Sequence, residues 1–173
     1  PVHLLRDGGQ QRAAGYAALN PQQLVPTLVH GDTVLTQSMA ILEYLDEVFV
    51  DGPLLLPADA PGRARVRAMA QLLACDVHPL GNLRVMQYLG GELGVDEAAR
   101  LRWTTHWMAQ GFAALQAQLA ASAQSGRFCH GDVPGLADCC LVPQLYNARR
   151  FKLDLDPYPD LLRIEQSCLA LPA

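Results

Sequence analysis

Val25-Pro26-Thr27-Leu28-Val29-His30-Gly31-Asp32-Thr33-Val34-Leu35-Thr36-Gln37-Ser38 is the stretch whose reading decides the fold. Two short runs rich in β-branched residues flank His30-Gly31-Asp32, a tight-turn sequence, so the segment predicts an antiparallel hairpin. Ser38, a favourable N-cap by residue type, then opens a helix through about Phe49. The apolar residues Ile41, Leu42, Leu45, Val48 and Phe49 recur at the i, i+3, i+4 spacing of one helix face. Upstream, Pro1 to Leu5 reads as a short strand. Gln10 to Leu19 reads as a helix stopped by Asn20-Pro21, because a residue before proline avoids the helical region.

Downstream, Gly52-Pro53, Pro57 and Pro61-Gly62 punctuate the chain and mark a domain boundary. Everything beyond lacks strand alternation. Arg63 to Val77 predicts one amphipathic helix, interrupted at His78-Pro79 and resumed from Leu83 to Leu89. Asp96 to Ala123 predicts a long helix, Leu136 to Asn147 an apolar and largely buried one, and Leu161 to Leu169 the last. Gly135 and Asp138 form a capping box in which the carboxylate reaches back to the Gly135 N–H. The expected fold is therefore α+β, with an N-terminal unit over residues 1–57 and an all-α unit over 58–173.

Composition sets the outer limits. The 173 residues are 50% hydrophobic and 17% charged, with a net charge of -4. That apolar fraction excludes a disordered chain, and the mild acidity gives no footprint for nucleic acid or an anionic membrane. No apolar run approaches the ~20 residues of a membrane-spanning helix, and the start has neither the basic nor the apolar part of a signal peptide. The cysteines are Cys75, Cys129, Cys139, Cys140 and Cys168. Their odd number and the lack of any C-x-x-C pair argue against a disulfide framework and a zinc site, so no metal is expected. They read as small buried thiols in helices, in a reducing cytoplasm.

Three segments together carry a family resemblance. Asn20-Pro21-Gln22-Gln23-Leu24-Val25-Pro26-Thr27-Leu28 followed by Thr36-Gln37-Ser38-Met39-Ala40-Ile41-Leu42-Glu43-Tyr44-Leu45 resembles a glutathione-binding thioredoxin-like domain. Asp76-Val77-His78-Pro79-Leu80-Gly81-Asn82-Leu83-Arg84, and Leu136-Ala137-Asp138-Cys139-Cys140-Leu141-Val142-Pro143-Gln144 with Asn147-Ala148-Arg149-Arg150-Phe151, resemble the helical domain of zeta-class glutathione transferases. That class includes the maleylacetoacetate and maleylpyruvate isomerases. The resemblance spans essentially the whole chain.

The resemblance implies glutathione as cofactor and gives each residue a role. Val25, before a candidate cis-proline, pairs its backbone with the cysteinyl backbone like an added strand. Gln37 and Ser38, at a helix N-terminus, hold the γ-glutamyl carboxylate. Gln22 corresponds to a residue near the other end of the peptide. Asp76, His78 and Asn82 line the glutathione cleft. On sequence alone a lone histidine near a helix break is more often structural, a weighting the resemblance reverses for His78, which shares a face with Asn82 only if the helix runs on past Pro79. Gly81 stands where relatives often carry a polar residue. Arg84 and Arg150 grip the carboxylates of a dicarboxylate substrate. Arg149-Arg150 is compatible with one side chain outward and one inward, and the resemblance selects Arg150 as the inward one.

The implied activity is cis–trans isomerisation of maleylpyruvate or maleylacetoacetate to the fumaryl form, in aromatic-acid or tyrosine breakdown, by a homodimer. The family's catalytic serine-rich turn, which stabilises the glutathione thiolate, has no counterpart here. Pro1 aligns at the start of the second strand, so the first strand and helix of a partial thioredoxin-like domain are expected upstream. On that reading no catalytic residue is present, the C-terminal tail is clipped and the chain as written turns over poorly. Two other readings remain open: a broader glutathione transferase or haloacid dehalogenase, and a non-catalytic binding subunit. Replacing Arg84 and Arg150 with Ala separates the first from the isomerase, and retention on immobilised glutathione separates the second.

Overall fold

In the computed structural model, residues 2–172 are described. The chain divides into two compact units, Pro1–Gly52 and Pro53–Ala173.

The first unit is built on the expected hairpin. Strand β1 (Thr27–His30) pairs antiparallel with β2 (Thr33–Thr36) in the register Thr27↔Thr36 to His30↔Thr33. The two-residue loop starts at Gly31, whose φ of +59° is the left-handed backbone that glycine adopts without a steric penalty. Helix α1 (Ala14–Leu19) precedes the hairpin and α2 (Ser38–Val48) follows it. Tyr44 of α2 lies by the end of β1, its Oη 2.9 Å from His30 Nδ1. Two expectations fail in this unit. Residues 2–5 form no strand, because a strand needs a neighbour for its backbone groups and these have a turn instead: His3 O accepts from Gln10 N at 2.9 Å and His3 N donates to Gln10 Oε1 at 3.0 Å. Pro1 lies outside the described residues. The helix expected from Gln10 begins as a 3₁₀ turn at Gln10–Arg12 and turns α only after Ala13, which is extended at ψ 143°.

The second unit is helical among its described residues: α3 (Ala60–Gln71), α4 (His78–Leu80), α5 (Leu83–Gly91), α6 (Glu97–Ala120), α7 (Leu136–Arg150) and α8 (Pro159–Leu169). Its core is closed by Met69, Met108, Phe112, Leu115, Leu145 and Ile164, each at most 1% exposed. Burying such a side chain stabilises the fold by about 1.5–3 kcal/mol. The N-termini of α3 and α6 are capped by carboxylates. Asp59 accepts from Gly62 N at 2.7 Å and Asp96 from Ala99 N at 2.7 Å. The capping box of α7 is formed, Gly135 N donating to Asp138 Oδ2 at 2.8 Å. Asp138 does more than the spacing implies. Its Oδ1 accepts from Cys129 N at 3.0 Å, so one buried carboxylate satisfies two backbone donors.

The helix expected over residues 63–77 starts earlier, at Ala60, and changes character at Leu72. Leu72–Val77 is π-helical, and it closes with His78 N donating to Leu73 O, five residues back. Pro79 has no N–H and its ring would strike the carbonyl four residues earlier in a regular α-helix. The wider π turn just upstream accommodates it, so the chain runs on through His78–Leu80 and breaks at Gly81, not at His78-Pro79. Trp103 Nε1 of α6 donates to Leu80 O at 2.8 Å, satisfying a carbonyl that the break leaves without a helical partner.

The cysteines depart from the buried-thiol reading. None of the five is in a disulfide, Cys75 and Cys139 are exposed, and only Cys129 is buried, in the loop before α7. Positions 75 and 139 fall on outward faces of their helices.

Candidate functional site

In the first unit the candidate residues sit where the chain enters β1 and leaves β2. Asn20, 2% exposed, organises the entry. Its Oδ1 accepts from Gln22 N at 3.0 Å, an Asx turn, and its Nδ2 donates to Leu24 O at 2.7 Å. Tyr16 Oη donates to the same carbonyl at 2.6 Å and lies 2.9 Å from Thr27 Oγ1. These bonds fix Gln22 on one side and the cis Val25–Pro26 bond on the other. Val25 is 43% exposed, and its backbone N–H and C=O have no partner among the described residues. Neither Tyr16 nor Asn20 was anticipated as an organiser of the site. The signal for Asn20 was its place ahead of Pro21-Gln22, since asparagine bonds readily to the backbone two residues on.

At the exit, Gln37 Nε2 donates to Gln22 Oε1 at 2.7 Å, so the structure brings these two predicted residues together. Gln37, not Ser38, occupies the cap position of α2. It has φ +72° and ψ 117° and makes no side-chain cap bond, while Ser38 is the first helical residue. Gln37 stands at positive φ, outside the helical region, so the helix begins with Ser38, and the Gln37 side chain is bonded to Gln22. A non-glycine residue rarely adopts that backbone, and such strain concentrates at ligand sites. The first intrahelical bond runs from Ile41 N to Gln37 O, so the first-turn N–H groups and the positive end of the helix dipole lie beside the exposed Ser38 hydroxyl. An exposed hydroxyl, an amide pair and a helix N-terminus suit a peptide carboxylate, and the open Val25 backbone suits an extended peptide. These residues fit glutathione.

In the second unit, Asp76 and His78 are exposed along the π-helical segment and α4. Asn82 does not continue a helix from His78. The break at Gly81 makes it the N-cap of α5, with φ -64° and ψ 148°, its Oδ1 accepting from Arg84 N at 3.4 Å. Its amide NH₂ group has no partner among the described residues and remains able to donate. Packing at Gly81 is close, since a Cβ there would lie 3.1 Å from Thr104 Cγ2. Arg84 is exposed on the first turn of α5.

The two arginines at the end of α7 divide their work. Arg149 makes a forked pair with Glu165 of α8, both nitrogen–oxygen distances 2.5 Å, and Glu165 is 5% exposed. That hydrogen-bonded carboxylate holds the Arg149 guanidinium above its ordinary range. Arg150 is exposed rather than inward. Its guanidinium lies 5.7 Å from the Phe151 ring centroid and 3.4 Å from Asn147 Oδ1, with no carboxylate partner among the described residues.

A cavity of about 240 Å³ lies elsewhere in this unit, between residues 54–57 and 129–135, and none of the predicted residues lines it. Among the described residues no group of three or more His, Cys, Asp or Glu is placed to hold a metal ion, and no helix is long and apolar enough to cross a membrane.

Residues 2–47 match the glutathione S-transferase N-terminal domain family. Over 172 residues the chain is 51% identical to a maleylpyruvate isomerase of a Ralstonia species, covering 99% of this chain and 80% of that protein. Among solved structures it is similar to the holo structure of a maleylpyruvate isomerase, a bacterial zeta-class glutathione S-transferase. That likeness has a TM-score of 0.90 at 49% identity and covers 94% of this chain and 76% of the other. It is also similar to the maleylacetoacetate isomerase of Methylobacterium extorquens with bound malonate and glutathione. There the TM-score is 0.91 at 40% identity, covering 95% of this chain and 77% of the other.

Proposed function

The chain belongs to the zeta-class glutathione S-transferases, and on that premise we propose how its residues serve the glutathione-dependent isomerisation of maleylpyruvate or maleylacetoacetate to the fumaryl form. Gln22, Gln37 and Ser38 hold the γ-glutamyl end of glutathione. The Val25 backbone pairs with its cysteinyl backbone. Asp76, His78 and the Asn82 amide take the remaining polar groups of the peptide. Bound glutathione supplies a thiolate nucleophile that adds reversibly to the cis double bond and so permits rotation about it. Arg84 and Arg150 orient the substrate carboxylates and stabilise negative charge that builds on the substrate in the transition state.

The observation that carries the dicarboxylate assignment is the contrast at Arg149-Arg150. One guanidinium is committed to a buried carboxylate of the protein, while its neighbour is exposed and has none among the described residues. A planar, permanently charged fork in that state is suited to a carboxylate from outside. The protein works as a homodimer in the cytoplasm, a reading supported by its class and, for the compartment, by the odd number and spacing of its five cysteines.

The test follows both maleyl substrates with the purified protein, with and without glutathione. Turnover that needs glutathione but does not consume it is expected. Glutathione consumed in step with product would indicate a conjugating transferase instead, and turnover without glutathione would overturn the reading.

A further inference from the structure

Asn82 and Arg84 owe their places to the break at Gly81, which turns Asn82 from a helical residue into the cap of α5. In an unbroken helix Leu80 O would accept from Arg84 N, four residues on. Here both groups are diverted. Leu80 O accepts from Trp103 Nε1 at 2.8 Å, and Arg84 N donates to Asn82 Oδ1 at 3.4 Å. The Trp103 ring meets Trp107 edge to face, with centroids 5.8 Å apart, which steadies the donor. The same face of α6 grips the chain on both sides of the pair. Thr104 Cγ2 lies 3.1 Å from where a Gly81 Cβ would stand. Thr104 Oγ1 donates to Met86 Sδ at 3.2 Å, and Arg100 Nη1 donates to Met86 O at 3.1 Å. Residues 100, 103 and 104 share this face at the i, i+3, i+4 spacing.

We propose that Trp103 is a positioning residue for Asn82 and Arg84: its indole N–H occupies the acceptor through which the helix would otherwise run on. The inference rests on the reading of Asn82 as glutathione-facing and Arg84 as substrate-facing. Trp103 itself need touch neither ligand. With the indole donor in place, Arg84 N is left to the Asn82 side chain, and the extended backbone of Asn82, at ψ 148°, turns the chain into α5. Without it, Leu80 O and Arg84 N pair with each other and the helix continues through Gly81 and Asn82. Both ligand-facing side chains are then carried round the helix axis. The lost bond is offset by helical ones, so the change falls on the geometry of the site and not on stability.

The test compares the wild-type chain with Trp103→Phe, which keeps an aromatic ring against Trp107 and removes the N–H, and with the double variant Trp103→Phe/Leu83→Pro. Leu83 holds the first helical position of α5, where proline is favourable, and proline there bars a helix across the break. It also favours extended backbone at the residue before it, which Asn82 already has at φ -64° and ψ 148°. In Trp103→Phe the Arg84 amide should exchange hydrogen more slowly, and the melting temperature should stay close to wild type. The Kd for glutathione should rise about 3- to 10-fold, and kcat/KM for the maleyl substrate should fall about 10- to 100-fold. Leu83→Pro in the same chain should restore the exchange rate and most of the affinity and turnover. Unchanged exchange at Arg84 in Trp103→Phe, or restored exchange without restored affinity in the double variant, would overturn the proposal. Asn82→Ala and Arg84→Ala separate its failure from that of the site. If they weaken binding or turnover and Trp103→Phe does not, the positioning role alone fails. If neither has an effect, the assignment of Asn82 and Arg84 to the ligands fails and the proposal with it.

Discussion

Val77 Cγ2 occupies the space that a Cβ on Gly111 would need, so the π-helical segment packs the Val77 side chain directly on the backbone of α6. The backbone of Gly111 is the floor on which Val77 rests, and Val77 is flanked by Asp76 and His78. Gly111→Ala is expected to destabilise the protein by about 1–3 kcal/mol, the usual cost of overpacking, and to raise the KM for glutathione by shifting the segment. Val77→Ala in the same chain removes the obstructing methyl groups and should recover most of both losses. Melting temperatures and glutathione titrations of the single and double variants check this. Equal, additive losses would show that the two positions do not communicate.

Gln37 combines a strained backbone with a 2.7 Å bond to Gln22. Glycine at this position relieves a conformation that costs other residues about 1–3 kcal/mol, but it deletes the bond. Gln37→Gly should therefore melt at an equal or higher temperature, while the KM for glutathione rises about 3- to 10-fold, the worth of one net hydrogen bond. Stability and affinity moving in opposite directions would mark Gln37 as strained for the ligand. If both fall together, the bond is structural.

What could be read in advance follows the range of the interactions involved. The hairpin was legible because alternation and a Gly31-Asp32 turn are local properties, and the box at Gly135 and Asp138 because caps are set within four residues. The π turn was not, because it depends on Pro79 downstream and on the closeness of α6 at Gly111, contacts that spacing does not encode. Residues 2–5 looked like a strand by composition, but strand pairing is non-local. Ser38 suited the cap by type, yet Gln37, at positive φ, takes the cap position and Ser38 becomes the first helical residue. Nor could spacing say which of Arg149 and Arg150 meets Glu165.

That division between the arginines yields a paired prediction. Arg149→Ala leaves the nearly buried Glu165 carboxylate without its fork, and should cost about 1.5–3 kcal/mol of stability, the range for charge-assisted bonds, with kcat/KM of the folded enzyme little changed. Arg150→Ala should leave the melting temperature nearly unchanged and lower kcat/KM for the maleyl substrate about 10- to 100-fold, the same energy expressed in the transition state. Arg150→Lys keeps the charge but not the fork, and should recover only part of the rate. Chemical denaturation and steady-state kinetics on the three variants test the assignment. A stability loss at Arg150 with unchanged kinetics would exchange the two roles.

The thiols set an alkaline limit on stability. Burial, the largest cause at each, raises Cys140 from an ordinary value of 9.0 to about 12 and Cys129 further still. Cys168 rises to about 11 for the same leading reason. In the unfolded chain these thiols ionise near their ordinary value, so above it the unfolded state binds fewer protons than the native state. The stabilisation from keeping them neutral is fully present below the unfolded value of about 9. It is lost as pH rises through the folded values, about 11 for Cys168 and about 12 for Cys140. Unfolding free energy measured by denaturant titration should thus be insensitive to these groups up to about pH 8.5 and fall above it. Cys140→Ala should flatten the slope, because one of the protons released on unfolding is no longer there to be lost. An unchanged slope in that variant would mean that Cys140 does not contribute to the alkaline limit.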